Sequence, residues 1–502
     1  MSTDTFTPFD PCAVSAEHAT AIIKARYGKH GWAADPAGWV AGRLGEHLWS
    51  AQRLIAESVR DYRYTAVQSC HGAGKSFVAA RLAAWWLDTR DDAFVVTTAP
   101  TFPQVRAILW REIGRAHRRG GLSGRVNQTE WWDGSELVGY GRKPADYDQA
   151  AFQGIHARHV LVIIDEACGV PKALFDAVDS LATNEHARVL AIGNPDDPTA
   201  HFATICRAES GWHVIHIDGL ATPNFTGEPV PEPLRPLLPS PEWVEERRQR
   251  WGEGSPLWQA KVRGLFPEQA DDGLIPLSWV LAAQRRWAEW DEQGRPTQLG
   301  RRVVSCDVAR FGDDDTVIAI RQGQVVESLH RWHGLDTMAV TGHVIAKLAG
   351  QQTALAVVDV IGMGAGPVDR LREQGKSVVG FNASHASPRR DRSGELGFVN
   401  TRSAAWWNLR EQLDPAYGAT LALPPDDQMA ADLTAPHWRV TSTGRVQVES
   451  KDAIRKRLGR STDAGDAVVQ AVWLPANPVD QDVTGVHPYQ TSPDGEGVYR
   501  WA

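Results

Sequence analysis

The 502-residue chain is poor in cysteine (5) and methionine (4), has 10 lysines against 43 arginines, and contains no long apolar run. Cys12, Cys70, Cys168, Cys206 and Cys306 are odd in number and widely spaced, with no C-x-x-C pair. That argues against a disulfide framework or zinc ribbon and for reduced, buried thiols. The longest apolar stretches are short ones such as VLVII at 160–164, far below the roughly 18 residues of a membrane span. The first residues, MSTDTFTPFDPC, lack the basic start and apolar core of a signal peptide, so a soluble intracellular protein without membrane contact is expected. Net positive charge is also missing. At −8 the chain is no histone-like binder, although DNA stays open because binding follows the local distribution of charge. The arginine excess points to a GC-rich genome. The 21 tryptophans read as core and clamp residues.

What is present is globular: 42% hydrophobic and 23% charged residues, with 45 glycines and 30 prolines. Residues 50–220 alternate strand and helix patterns. YTAVQS (64–69), AFVVTTAP (93–100), HVLVIID (159–165) and ARVLAIGNP (187–195) read as strands, and SFVAARLAAWWLD (76–88) as a helix. This alternation predicts a mostly parallel sheet covered on both faces. A proline-dense connector follows at 223–241. The second half opens with three strands joined by tight turns (301–309, 316–323, 324–332). It continues with helix, strand (354–362), helix, strand (377–383) and two further helices near 402–413 and 461–474. That order predicts an α/β domain with a mixed sheet.

SCHGAGKS (69–76) lies between a strand and a helix, where backbone N–H groups and the helix N-terminus can cradle phosphates. Gly72 and Gly74 let the chain turn, Lys75 would reach the β/γ oxygens, and the Ser76 hydroxyl would hold Mg²⁺. Ser69 stands where the general pattern has its first glycine. Downstream, HVLVIIDEA brings Asp165 and Glu166 to the C-terminal end of a strand, the edge where open parallel sheets bind ligands. Asp165 would hold Mg²⁺ and Glu166 would polarise the attacking water. Asn194 ends the next strand, where its amide could sense the γ-phosphate. Trp49 and Gln52 of LWSAQR precede the first strand and suit adenine stacking and edge recognition. Nucleotide hydrolysis is the expected chemistry.

Asp307 sits inside a strand (SCDVA), where a charge is costly unless something binds it, and Asp359 ends AVVDV. Asp463 and Asp466, three apart in STDAGDAVV, share the first turn of a helix. Hard oxygen ligands from separate elements suit Mg²⁺ or Mn²⁺, and two such ions can clamp the oxygens of a phosphodiester during hydrolysis. Asp313, Asp314 and Asp315 read as turn chemistry, with Asp315 able to join the metal shell. IGMGAG (361–366) follows a strand but lacks the dinucleotide spacing, and its glycines fit close backbone passage better. The histidine pairs His156/His159, His213/His216 and His330/His333 have no zinc-spaced partners. Two basic stretches stand out: Arg106, Arg111, Arg115, Arg118, Arg119 and Arg125, and KDAIRKRLGR (451–460). The second runs straight into the carboxylate helix and is placed to follow phosphates.

A P-loop ATPase followed by an RNase H-like metal nuclease resembles the large terminase subunit of tailed bacteriophages. The likeness extends from LWSAQR to about residue 474. Its most specific stretches are SCHGAGKS, HVLVIIDEACGVP, AIGNP, CDVARFGDDDTVI, VVDVIGMGAGPVDRL and KDAIRKRLGRSTDAGDAVVQA. The resemblance implies ATP-driven translocation of double-stranded DNA through the portal protein into a procapsid. It also implies metal-dependent cutting of concatemeric DNA, a small terminase subunit as partner, and a homo-oligomeric ring, expected to be a pentamer. Such a protein works in the host cytoplasm, transiently at the portal vertex, and is absent from the mature virion. By position, Lys75, Ser76 and Asp165 would bind the nucleotide and its Mg²⁺, Glu166 would be the catalytic carboxylate, and Asn194 falls in the coupling motif. Asp307, Asp359 and Asp466 fall on the nuclease ligands, with Asp463 in reserve. His71 occupies the place where many relatives carry a P-loop arginine, which leaves Arg106, Arg142, Arg158 or a neighbouring subunit to supply that charge. The expected domains are a helical segment (1–45), a P-loop ATPase domain (46–222), a connector (223–299), the nuclease domain (300–476) and a tail (477–502). A P-loop helicase-like or defence ATPase fused to a metal-dependent nuclease is the alternative.

Overall fold

A computed structural model describes residues 31–142, 157–267, 272–309, 314–349 and 354–473. Cys12, His156, Asp313, the tail from 477 and most of the segment 1–45 lie outside them. The chain divides into two compact units, one of residues 1–244 with 260–266, the other of 245–259 with 267–502.

The first unit is built on eight strands: β1 (Tyr64–Ser69), β2 (Ala93–Thr98), β3 (Arg125–Asn127), β4 (Glu130–Asp133), β5 (Glu136–Gly141), β6 (His159–Asp165), β7 (Arg188–Gly193) and β8 (His213–Ile217). They run in the order β3-β4-β5-β2-β6-β7-β1-β8. From β5 to β8 every neighbouring pair is parallel. The β3-β4-β5 edge is antiparallel, and no pattern in the sequence points to it. Its strands are three to six residues long, too short for alternation to register. The mostly parallel α/β sheet is as expected.

The P-loop helix, Lys75–Thr89, buries almost its whole circumference, with Val78, Ala79, Ala80, Leu82, Ala83, Ala84, Trp85 and Trp86 all inside. Four alanines keep the helix thin enough to lie close against the sheet, and the two indoles fill the space beyond. Each indole also satisfies its N–H, Trp85 on the Trp32 carbonyl at 2.9 Å and Trp86 on that of His159 at 3.0 Å. This packing anchors the loop that the helix continues.

The second unit has a five-stranded mixed sheet of β9 (Arg302–Asp307), β10 (Asp315–Gln322), β11 (Val325–His333), β12 (Leu355–Asp359) and β13 (Val378–Phe381), in the order β11-β10-β9-β12-β13. The first three form an antiparallel meander. β12 and β13 then continue parallel to β9, the RNase H-like arrangement expected. A small sheet of β14 (Gly397–Phe398), β15 (Trp438–Val440) and β16 (Arg445–Val448) adds to it, unannounced by the sequence. Along β9, Val304 and Cys306 enter the apolar cluster shared with Val340, Val344, Val368 and Leu371. Strand alternation therefore turns Ser305 and Asp307 to the opposite face. There Ser305 Oγ donates to the Ala467 carbonyl of the helix Asp463–Val472 at 2.6 Å.

Candidate functional site

In the first unit, Gly72 and Gly74 have φ of 76° and 81°, backbone that only glycine adopts without strain. Lys75, nearly buried, donates to the carbonyl of Cys70 and to Asn194 Oδ1, both at 3.1 Å. Asn194 Nδ2 in turn donates to the Ser69 carbonyl at 2.7 Å. Ser76 Oγ donates to Asp165 Oδ2 at 2.9 Å, across β7, which lies between β1 and β6. The structure thus brings Lys75, Ser76, Asp165 and Asn194 together at one sheet edge.

Burial, with the charge of Glu166 added, pushes the Asp165 carboxyl up to about 7, against the pull of Ser76 and Lys75. Glu166 sits at φ 48°, an uncommon conformation for a residue with a side chain. Gly193 makes room beside it, since a Cβ there would lie 2.9 Å from the Ala167 nitrogen.

Gln52 is 2% exposed and donates from Nε2 to the Ala73 carbonyl at 3.2 Å, while its Oε1 has no partner. Trp49 departs from expectation. At 1% exposed its ring offers no face for an adenine to stack on. Its hydrophobicity places it in the core beneath the helix Ser50–Asp61. A feature invisible in the sequence is the return of residues 260–266. His71 N donates to the Lys261 carbonyl at 2.7 Å, and Lys261 Nζ meets Asp196 at 3.0 Å. Arg106, Arg142 and Arg158 are all exposed. Arg106 lies in a π-helix, Gln104–Trp110, a distortion frequent at functional sites.

In the second unit, the parallel register pairing Val358 with Cys306 sets Asp359 level with Asp307. The helix Asp463–Val472 lays its first turn over them. Lys451 stands at the centre, a role no sequence pattern marks because it reads as one more charge in a basic run. Its Nζ lies 2.8 Å from Asp307 Oδ2, 3.0 Å from Asp463 Oδ1 and 3.5 Å from Asp466 Oδ2. Among the described residues no three His, Cys, Asp or Glu side chains form a ready coordination set. These acids converge on an ammonium instead, so the donor set is one that already gathers a cation.

The acids differ in environment. Burial pushes the Asp307 carboxyl up to about 8; Lys451 opposes this, while Asp466, Asp463 and Asp359 add to it. Burial also raises Asp359, whose Oδ1 accepts from Ile361 N at 2.9 Å. Burial would raise Asp466 too, but Arg402 and Lys451 hold it below the ordinary range. Arg402 Nη1 reaches Asp466 Oδ1 at 2.6 Å, Trp406 Nε1 reaches the same oxygen at 3.1 Å, and Thr462 Oγ1 reaches Oδ2 at 2.9 Å. Arg402 Nη2 is buried and has no partner. Asp463 accepts from Asp315 N at 3.1 Å. The Asp315 side chain turns to His333 at 3.3 Å rather than to the acids.

The described cysteines, Cys70, Cys168, Cys206 and Cys306, are unbonded. No helix among the described residues is long and apolar enough to cross a membrane. No family model matches the chain. A probable terminase large subunit of Enterobacteria phage P7 is 26% identical over 258 residues, covering 47% of this chain and 49% of that protein. The chain therefore matches about half the length of that curated relative. Among solved structures, the large terminase of a thermophilic bacteriophage is 14% identical, covering 85% of this chain and 99% of that one at a TM-score of 0.38. The nuclease domain of the large terminase subunit of bacterial virus Sf6 is 21% identical, covering 41% and 100% at a TM-score of 0.35.

Proposed function

We propose, from its likeness to the large subunits of phage terminases, that this chain is an ATPase and a metal-dependent DNA endonuclease. It would drive double-stranded DNA into a procapsid and cut the concatemer. The observation that carries this reading is the pairing, in one chain, of the Ser76–Asp165 phosphate edge with the carboxylates gathered on Lys451. The proposed domain plan is that of the sequence: a helical segment (1–45), ATPase (46–222), connector (223–299), nuclease (300–476) and tail (477–502). Double-stranded DNA, the portal protein, a small terminase subunit and further copies of the chain in a ring, a pentamer, are the proposed partners. The host cytoplasm, with transient residence at the portal, is the proposed location.

In the ATPase half, the N–H groups around Gly72 and Gly74 would face the phosphates. Lys75 would exchange its Asn194 bond for a phosphate oxygen, which frees Asn194 to report occupancy. Ser76 and Asp165, already within hydrogen-bond reach of one another, would hold Mg²⁺. Glu166 would orient and polarise the attacking water. Gln52, placed just ahead of the first strand, is the proposed contact to the adenine edge. The arginine completing the site would come from Arg106, Arg142, Arg158 or a neighbouring copy, His71 having no permanent charge to offer.

In the nuclease half, Asp307, Asp359 and Asp466 would hold the metal, Mg²⁺ or Mn²⁺, once Lys451 gives way, with Asp463 in reserve. Asp466, bound on both oxygens, would close the shell from the Arg402 side. The free Arg402 Nη2 can donate to a phosphate oxygen. In such a site divalent ions activate water and neutralise the leaving oxygen.

The test is supercoiled plasmid with the purified full chain in Mg²⁺ or Mn²⁺, beside Asp359→Ala. Nicking and linearisation that need metal and vanish in the variant, with ATP turnover retained, are expected. Equal cutting by both proteins overturns the site assignment. Strand separation of a duplex by the chain alone would favour a helicase-like enzyme instead.

A further inference from the structure

The helix that delivers Asp463 and Asp466 is not capped by its own sequence. Thr462 precedes it in the N-cap position but makes no cap hydrogen bond, because its hydroxyl is committed to Asp466 Oδ2. The first-turn amides would be orphaned donors, and a buried orphan is costly. They are met instead from another element. Asp432, in the helix Asp427–Thr434, accepts from Ala464 N at 3.0 Å and Gly465 N at 3.1 Å, both on Oδ2. Its other oxygen accepts from Gln428 Nε2 at 3.0 Å and from Arg460 Nη1. Asp432 is 1% exposed. Gly465 permits the approach, since a Cβ there would lie 2.9 Å from Asp432 Cβ and 3.2 Å from Trp406 Cη2.

We propose that Asp432 is a positioning residue for the metal site, capping the carboxylate helix from outside and thereby setting where Asp463 and Asp466 point. This rests on the nuclease reading above. The two acids occupy the first and fourth residues of that helix, and the two amides held by Asp432 lie between them. A small rotation of this turn moves both carboxylates relative to Asp307. The helix end has partial positive charge, which favours a carboxylate cap. Arg460 balances the remainder, donating to Asp432 and, at 2.9 Å, to the Ser461 carbonyl next to Thr462. Asp432 and Arg460 thus form a collar around residues 461–466 while themselves making no hydrogen bond to Asp307 or Lys451 among the described residues.

Two measurements on the full-length protein test this. In Asp432→Asn, hydrogen exchange of the segment holding Ala464 and Gly465 should accelerate at least tenfold while the P-loop helix is unchanged. Calorimetric titration with Mn²⁺ alone should show affinity about 10–100-fold weaker, and plasmid cutting should return in part at high Mn²⁺. ATP turnover, belonging to the other unit, shows that the first unit is intact, and a cooperative thermal melt of the second unit serves as its folding control. Should Asp432→Asn fail to fold, the double variant Asp432→Asn/Arg460→Gln removes the stranded guanidinium and takes its place. Unchanged Mn²⁺ affinity with intact ATP turnover overturns the proposal, as does unchanged exchange at 464–465. Failure of the nuclease reading looks different: the unmodified protein would itself bind no Mn²⁺, and Asp463→Ala would match it.

Discussion

Lys75 Nζ and Asn194 Oδ1 lie 3.1 Å apart, although 119 residues separate them. Asn194 also holds the Ser69 carbonyl at 2.7 Å, so one buried amide ties both ends of the phosphate loop. In Asn194→Ala the Ser69 carbonyl and the ammonium each lose a partner, a cost of about 1–3 kcal/mol. Melting of the first unit should fall by several degrees. ATP turnover should drop by more than tenfold, with KM changed less than kcat. Calorimetry and steady-state ATPase assays read both, and an unchanged kcat would remove Asn194 from the cycle.

Glu166 should be separable from the nuclease. Glu166→Gln keeps the side chain's size but cannot take up a proton, so ATP turnover should fall by about 10²-fold or more while metal-dependent plasmid cutting persists. A loss of cutting in the same variant would count against independent sites.

Lys451→Ala removes the ammonium from Asp307, Asp463 and Asp466. Asp307 and Asp463 then lose that cation, while Asp466 keeps Arg402. Without metal the second unit should melt several degrees lower, and Mn²⁺ should stabilise the variant more than the unmodified protein, because the ion no longer displaces a tethered cation. Thermal melts with and without Mn²⁺ decide. An identical metal-induced shift in both proteins would show that Lys451 does not compete.

The pH response follows from Asp307, whose carboxyl burial lifts to about 8 from an ordinary value near 4. A carboxyl that holds its proton more tightly when folded adds stability below the lower value and loses it as pH rises through the upper one. Metal-free protein should therefore lose melting temperature between about pH 4 and pH 8. Mn²⁺, which needs the ionised carboxylate, should bind more tightly across the same interval. In Asp307→Asn the slope should flatten; a slope that stays steep would assign it elsewhere.

Much of this was legible in the residues. Long apolar strands ending in acids, such as HVLVIID and LAVVD, announce both their structure and their acidic C-terminal ends, and both site edges follow from them. Asp432 was not legible. In DDQMAADLT it reads as one more acid on a helix surface, because capping between elements remote in sequence leaves no local pattern. Lys451 and Arg402 were hidden for the same reason: their partners are supplied by tertiary packing. The β3-β4-β5 edge escaped because EWWD and RVN are too short for periodicity to speak. Trp49 misleads because an aromatic near a phosphate loop suits a base and a core equally, and only burial distinguishes them.

The carboxylate cluster also has a calendar. Gln470 Nε2 reaches Asp307 Oδ1 at 3.3 Å across 163 residues of chain, and both Asp463 and Asp466 arrive on that same late helix. While the ribosome is still making the polypeptide, β9 and its acid are complete long before their partners exist. A nascent or prematurely terminated product that stops short of the helix has a finished phosphate loop but lacks Asp463 and Asp466. On the proposed nuclease reading, translation order by itself keeps half-made protein from assembling a cutting site.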